Sequence, residues 1–328
     1  MESRSLQCEF LSEDMSGVKL IKKDIPDLSS NQILVKVKAS SVNFPDYLMT
    51  QGKYQHKPEL PFGLGMEGSG IIEKTGEDIK NYKISDEVTF GALGQGAFSD
   101  YVVVNENAID MKPNNLSFEQ AASFQTAYLT AYVSLVRRGN LMKGETLLVL
   151  GSSGGIGTAS IQLAKVMGLK TICAVGSDEK ESYVKSLGAD EVIRYDQQDL
   201  KETAKSLTDG KGVDIVMDPV GGEASEQALR ATGFNGRHLV IGFANGSIPK
   251  ISLNLTLVKG VSIVGVWWGR WTNTYPNETA EDFVELISYV NENKLDIVPK
   301  NVYSLQDTSL ALENFLKRKN IGKTVIKF

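Results

Sequence analysis

Apolar and polar positions follow two different patterns along this chain. In the first third they mostly alternate. ILVKVKA (33–39) reads as a strand, and GSGIIEK (68–74), DEVTF (86–90) and AFSDYVVV (97–104) read as further strands, separated by Gly, Asp and Asn. No helical period falls between them, so this region predicts a β-barrel-like or irregular β domain. Near Pro113 the character changes. LSFEQAASFQTAYLTAYVSLV (116–136) predicts a helix, with Ser117 and Gln120 in capping-box positions. From ETLLVL (145–150) onward, short apolar runs alternate with helical segments. The runs are KTICAV, DEVIRY, VDIVMDPV, RHLVIGF and VSIVGVWW; the segments include DEKESYVKSL, DLKETAKSL and GEASEQALRAT. Apolar runs without alternation are strands buried on both faces, which predicts a parallel, doubly wound sheet. The tail, DTSLALENFLKRKNIGKTVIKF, predicts a helix and then a strand.

The strongest local pattern is LLVLGSSGGIGTASIQLAKVMG. A strand ends at Gly151, Gly154, Gly155 and Gly157 follow, and a helix carries Ile156, Ala159, Leu163 and Met167 along one face. Gly151, Gly154 and Gly157 are spaced differently from GxGxxG, but strand, glycine turn and helix come in the order that a dinucleotide cradle requires. Glycines let the backbone approach a pyrophosphate, and the helix N-terminus presents unpaired N–H groups. No Gly-Lys-Ser/Thr follows, which excludes a P-loop. The next strand, KTICAV, runs into Gly176-Ser177 with no acid at its tip, where an NAD site usually places one. A hydroxyl at Ser177, an ammonium at Lys180 and a phenol at Tyr195 suit a 2′-phosphate, so the pattern favours NADPH over NADH.

At 328 residues the chain predicts two domains. Lys and Arg total 35 against 40 Asp and Glu, a net charge of −5 without a basic block, which argues against nucleic acid. No run approaches the ~20 apolar residues of a membrane helix, and MESRSLQCEF does not open as a secretory signal. Two distant cysteines, Cys8 and Cys173, form no disulfide framework, and His56 and His238 lack metal-ligand spacing; a cytoplasmic setting is expected.

These residues resemble a family. The β-rich N-terminal region, GSSGGIGTASIQLAK, AVGSDEK, SLGADEVIRY and the closing IGKTVI are similar to the medium-chain dehydrogenase/reductase superfamily. SVNFPDYLMTQGKYQHKPELPFGLGMEGSG resembles its quinone oxidoreductase (zeta-crystallin-like) branch. The resemblance implies an α/β protein: a GroES-like catalytic domain (1–121 and 297–328) interrupted by a Rossmann NADPH-binding domain (122–296), with the active cleft between them and a homodimer as the common assembly. Zinc-dependent members bind catalytic zinc through Cys, His and Cys. Here Asn43, Met66 and Thr126 stand at the matching positions, Glu67 follows Met66, and the structural zinc lobe is missing. Amide, thioether and hydroxyl are poor zinc ligands, so no metal is expected.

Residue by residue, the resemblance places Asn43 near the nicotinamide and Thr130 at its ribose. Ser153, Gly154, Gly155 and Ile156 would hold the pyrophosphate, and Gly176, Ser177, Lys180 and Tyr195 the 2′-phosphate. Ile241, Gly242, Phe243, Ala244, Val266, Trp267 and Trp268 would line the nicotinamide side, and Lys323 would reach the cofactor from the tail. Where many members carry a Tyr, this chain has Leu48; Tyr47 is its neighbour. The implied activity is NADPH-dependent quinone reduction. An enoyl-thioester or alkenal reductase with Tyr54 as proton donor is the alternative, so Asn43 and Tyr54 are the candidate catalytic residues. A structural or RNA-binding role, known among zeta-crystallin relatives, fits less well with a complete cofactor pattern and an acidic balance. Asp46 reads as part of a turn or helix start, and the three tryptophans of VWWGRW as core or interface.

Overall fold

A computed structural model describes residues 2–328. The chain forms two compact units. One comprises the chain up to Thr126 together with Ile297–Phe328; the other is Ala127–Asp296. The first switch lies at 126/127, five residues beyond the expected 121/122. Ala122 is buried against Ala39 and Val325, with Phe118 packed alongside, and this keeps the short helix there with the first unit.

In chain order the first unit contains β1 (Glu2–Cys8), β2 (Val18–Asp24), β3 (Gln32–Ser41), α1 (Phe44–Thr50), β4 (Phe62–Gly63), β5 (Glu67–Thr75), β6 (Glu87–Gly91), β7 (Tyr101–Asn105), β8 (Ile109–Met111) and α2 (Phe118–Ala122). Helix α3 (Gln125–Tyr132) crosses the boundary. The second unit follows with β9 (Thr146–Val149), α4 (Gly155–Met167), β10 (Lys170–Val175), α5 (Asp178–Ser186), β11 (Glu191–Arg194), α6 (Leu200–Ser206) and β12 (Val213–Asp218). It continues through α7 (Gly222–Ala231), β13 (Thr232–Val240), α8 (Asn254–Lys259), β14 (Ser262–Gly265), α9 (Trp268–Thr274) and α10 (Pro276–Asn291). The returning tail adds β15 (Asn301–Ser304), α11 (Thr308–Leu316) and β16 (Thr324–Lys327) to the first unit.

The first unit is built on a seven-stranded sheet in the order β15-β16-β3-β5-β6-β8, with β7 paired to β3, and a smaller sheet β2-β1-β4. Strand β3 runs to Ser41, past the expected end at Ala39, because Ser40 and Ser41 pair with Ile326 and Val325 of the tail. Ile33, Val35, Val37, Ile72, Val88, Phe90 and Val104 fill one core, and Leu6, Phe62, Leu64, Phe98, Leu312 and Ile326 fill a second.

The second unit has one parallel sheet, in the order β11-β10-β9-β12-β13-β14. In chain order of its strands this is 3-2-1-4-5-6, the doubly wound dinucleotide-binding arrangement. Its central strands are buried on both faces: Leu147, Leu148, Ile172, Ile215, Val216 and Met217 are inaccessible. Two local expectations change. The predicted strand through VWW stops at Gly265, and Trp268 opens α9. The predicted helix over 116–136 breaks after Ala122 and restarts at Gln125.

Candidate active site

Sheet order decides what gathers in the second unit. In an open parallel sheet, ligands bind beyond the carboxyl ends of the strands, where strand order reverses. That point lies between β9 and β12. Ser153–Ile156 follow β9, Gly176 and Ser177 follow β10, and Tyr195 follows β11; Ile241–Ala244 follow β13 and Val266–Trp268 follow β14. All of these nominated residues therefore lie at one edge of one sheet.

The turn after β9 is shaped for an anion. Gly151 takes φ +58, a left-handed conformation that favours glycine. Ser152 is buried, and its hydroxyl donates to the carbonyls of Val149 (2.6 Å) and Ala174 (3.1 Å), tying the turn to β9 and β10. Gly154 is the N-cap of α4 and has no side chain to satisfy the first-turn N–H groups. A Cβ on Gly157 would lie 2.4 Å from the Gly151 carbonyl oxygen, so helix and turn pack at backbone distance. A pyrophosphate fits this cradle of donors.

At the next strand end Ser177 is the N-cap of α5, its hydroxyl accepting from the Lys180 N–H (3.3 Å). The Tyr195 ring lies against Gly176, where an added Cβ would come within 2.8 Å of the phenol oxygen. Asp178 is solvent-exposed, as a helix-start acid should be, yet it pairs with Arg194. Arg194 also meets Asp196 at 2.7 Å and Glu181 at 3.3 Å. Sequence reasoning passed over Arg194, although it directly precedes Tyr195.

Behind the switch point, Asp218 accepts from the N–H groups of Val220 and Gly221, both at 2.9 Å. His238 Nε2 lies 2.9 Å from its Oδ2, to which Ser225 also donates. Serine, histidine and aspartate are all present, but they are sealed from solvent and both partners meet the same carboxylate oxygen. The set braces the loop at 219–222 and is not a nucleophile relay. Thr130 is buried on α3. Burial pushes the Cys173 thiol up to about 12, as befits an inert core cysteine.

The first unit holds the other chemistry, and here side chains distant in sequence converge. Lys323 Nζ donates to Asn43 Oδ1 (2.7 Å) and Glu67 Oε1 (3.2 Å). The Asn43 amide donates to Glu67 Oε1 (2.8 Å) and to the Ser41 carbonyl (3.2 Å). Ser41 Oγ donates to the same Glu67 oxygen, and Glu67 Oε2 accepts from the Thr126 N–H at 2.9 Å. With Lys323 on one end and Glu67 on the other, the Asn43 amide has one allowed orientation. Burial alone would raise the Glu67 pKa. The Lys323 ammonium and the donors Ser41, Asn43 and Thr126 outweigh it and hold the carboxyl below its ordinary range.

This network explains the helix break. The Thr126 N–H in the first turn of α3 is satisfied by Glu67, so a buried carboxylate starts that helix afresh. It also bears on zinc. Asn43 is spent on Lys323 and Glu67, Met66 offers a buried thioether, and the Thr126 backbone is tied to Glu67. These residues do not fit a zinc ion, and no group of three or more His, Cys, Asp or Glu suited to a metal occurs among the described residues.

Asp46 is the surprise. It stands in the first turn of α1, consistent with the helix-start reading, but it is fully buried there and accepts from the N–H groups of Asn43 (2.8 Å) and Gly65 (3.2 Å). Tyr54 packs half-buried on the core of Leu6, Phe62 and Phe98. The Tyr47 phenol accepts from Gln51 Nε2 at 2.7 Å.

The chain is similar to known proteins over nearly its whole length. Residues 29–114 match the family model for the alcohol dehydrogenase GroES-like domain, and residues 155–288 that for zinc-binding dehydrogenase. The chain is 36% identical to quinone oxidoreductase-like protein 2 homolog of Nematostella vectensis, over 98% of this chain and 88% of that protein. It is 32% identical to quinone oxidoreductase 1 of Escherichia coli, over 92% of each. The crystal structure of Escherichia coli quinone oxidoreductase complexed with NADPH superposes with a TM-score of 0.90 at 28% identity, covering 99% of this chain and 100% of that one.

Proposed function

The chain belongs to the quinone oxidoreductase family of the medium-chain dehydrogenase/reductase superfamily, and we propose that it reduces quinones with NADPH, without zinc. The observation that carries this reading is the buried Asn43–Glu67–Lys323 network, in which Asn43, at a position that the resemblance matches to a zinc ligand, is bonded to an ammonium and a carboxylate. Without a Lewis acid, a plain alcohol lacks activation, whereas a quinone accepts hydride readily.

NADPH supplies the hydride from its nicotinamide when bound. Ser153–Ile156 would hold its pyrophosphate, Gly176, Ser177, Lys180 and Tyr195 its 2′-phosphate, and Thr130, Ile241–Ala244 and Val266–Trp268 its nicotinamide end; the resemblance nominates Asn43 of the first unit for the nicotinamide as well. Lys323 acts here through Asn43, to which it is bonded. A quinone needs orientation and exclusion of water more than an acid of shifted pKa.

The test is NADPH oxidation with parallel panels of quinones, alkenals and enoyl-CoA esters, with NADH as the matched control. Quinones are the expected acceptors, and NADPH the better donor. Tyr54 is packed on an apolar core, which supports a shaping role. A general acid contributes about 10²–10⁴-fold, whereas Tyr54→Phe is expected to change quinone reduction by less than about threefold. Inert quinones, together with enoyl-CoA reduction that collapses in Tyr54→Phe, would establish the double-bond reductase instead.

A homodimer formed through the second unit completes the proposal. Strand β14 ends the parallel sheet, and Ile263 on it is exposed. Phe234, Leu253, Leu257 and Val258, the last three on or next to α8, are exposed as well. An open strand edge beside apolar side chains is a pairing surface. Light scattering is expected to give twice the mass of 35.8 kDa. The double variant Leu257→Glu, Val258→Glu should shift the mass to that of one chain while retaining NADPH binding.

A further inference from the structure

Every residue that the network uses as a side chain stands on a backbone segment that must itself be held. Asn43 is the N-cap of α1, at the end of the β3 turn. Glu67 opens β5, two residues after Gly65. Neither segment is fixed by the ion pair alone, because Lys323 arrives from the tail. Beyond the Ser40–Gly68 pairing of β3 with β5 and the Ser41 and Asn43 bonds to Glu67, Asp46 ties one backbone directly to the other. Asp46 receives the Asn43 N–H on Oδ2 and the Gly65 N–H on Oδ1. The Gly65 side of the clamp is rigid. Its φ is +94, and an added Cβ would lie 2.5 Å from the Phe98 nitrogen.

We propose that Asp46 is a positioning residue for the reaction: by clamping the backbone of Asn43 to that of Gly65, it holds the Asn43 amide and the Glu67 carboxylate in register with Lys323. The proposal rests on the reading of Asn43 as a nicotinamide-side residue. The carboxylate suits the task because it accepts on both oxygens. Asparagine offers one acceptor and turns an NH2 toward the other N–H.

The clamp is also sensitive to protons. Burial pushes the Asp46 carboxyl up, to about 7, opposed by the Asn43 N–H and the Lys323 ammonium and assisted by the Glu67 charge. Lys323 and Glu67 are the charged groups that act on it. Once protonated, one carboxyl oxygen carries a hydrogen of its own, and the clamp loses an acceptor. The full set is therefore assembled above about pH 7.

Three readouts test this on the full chain. In wild type, kcat for quinone reduction should rise through about pH 7. Asp46→Asn should lower kcat by about tenfold or more, flatten that profile, and leave the NADPH Kd from fluorescence titration within about twofold, since the phosphate contacts lie in the other unit. Wild-type NMR needs no variant: the N–H signals of Asn43 and Gly65 and the Asn43 side-chain NH2 should titrate together with one midpoint. Asp46→Asn with kcat within about twofold of wild type, or Asn43 and Gly65 signals that do not titrate together, overturns the proposal. If wild type reduces no quinone but these signals titrate together, the clamp stands and the quinone assignment falls.

Discussion

Lys323→Met should destabilise the protein by about 3–5 kcal/mol, the usual cost of removing one partner from a buried ion pair. Glu67 would remain in a site with almost no solvent access, keeping Ser41, Asn43 and the Thr126 N–H but losing the ammonium that opposes its burial. The sign with pH follows. In wild type the Glu67 pKa is depressed on folding, so its contribution is present above the unfolded value and is lost as pH falls through the folded one. In Lys323→Met, burial dominates and the folded pKa lies above the unfolded one, so the variant is least penalised in acid and loses stability as pH rises. The difference between the two proteins should therefore widen from about pH 4 to neutrality. Urea unfolding at several pH values measures it. Lys323→Met, Glu67→Gln should recover more than half of the loss, because no charge is left unpaired. If the double variant is as unstable as the single one, the ion pair is not what the site depends on.

The contrast between the two units shows what was legible in the sequence. In the second unit the informative groups are local: a strand, a glycine turn and a helix in one window, then short apolar runs at regular intervals. Right-handed crossovers turn such a list into a doubly wound sheet, and β10 occupies the predicted 170–175. Arg194 was missed because two of its ion-pair partners, Asp178 and Glu181, stand on α5, and only folding brings them to it.

The first unit hides its chemistry in sequence distance. Lys323 meets Asn43 across 280 positions and Glu67 across 256. No window contains both. The resemblance directed Lys323 toward the cofactor, and the structure directs its ammonium to Asn43 and Glu67. Pro45-Asp46 reads as a turn or helix start, and Asp46 does stand in the first turn of α1; its burial and its second partner are what the sequence does not show. Its importance comes from Gly65, which lies on another segment. The helix break at residues 123–124 failed for the same reason: helix propensity runs through it, and the Glu67 carboxylate overrides it from outside.

The glycine turn allows a prediction that separates cofactor binding from folding. A methyl group at Gly157 would meet the backbone of Gly151 and Ser152 at 2.4 and 2.5 Å. Backbone cannot rotate away, so Gly157→Ala must push turn and helix apart, and it should lose both stability and NADPH affinity. Gly154 is different. Its φ of −86 and ψ of 178 are open to alanine, and an added Cβ would meet only the Gly151 oxygen, at 3.4 Å. Gly154→Ala should therefore unfold within about 0.5 kcal/mol of wild type. If a pyrophosphate sits against this turn, that methyl group occupies its approach. Overpacking of this kind costs about 1–3 kcal/mol, which is roughly a tenfold to hundredfold rise in the NADPH Kd. Fluorescence titration with NADPH, paired with thermal unfolding of the free protein, reads both quantities. Unchanged stability with weakened binding places the phosphate on the turn. Unchanged stability with NADPH Kd within about twofold would mean that the turn is a tight strand–helix connection and that the cofactor is held elsewhere.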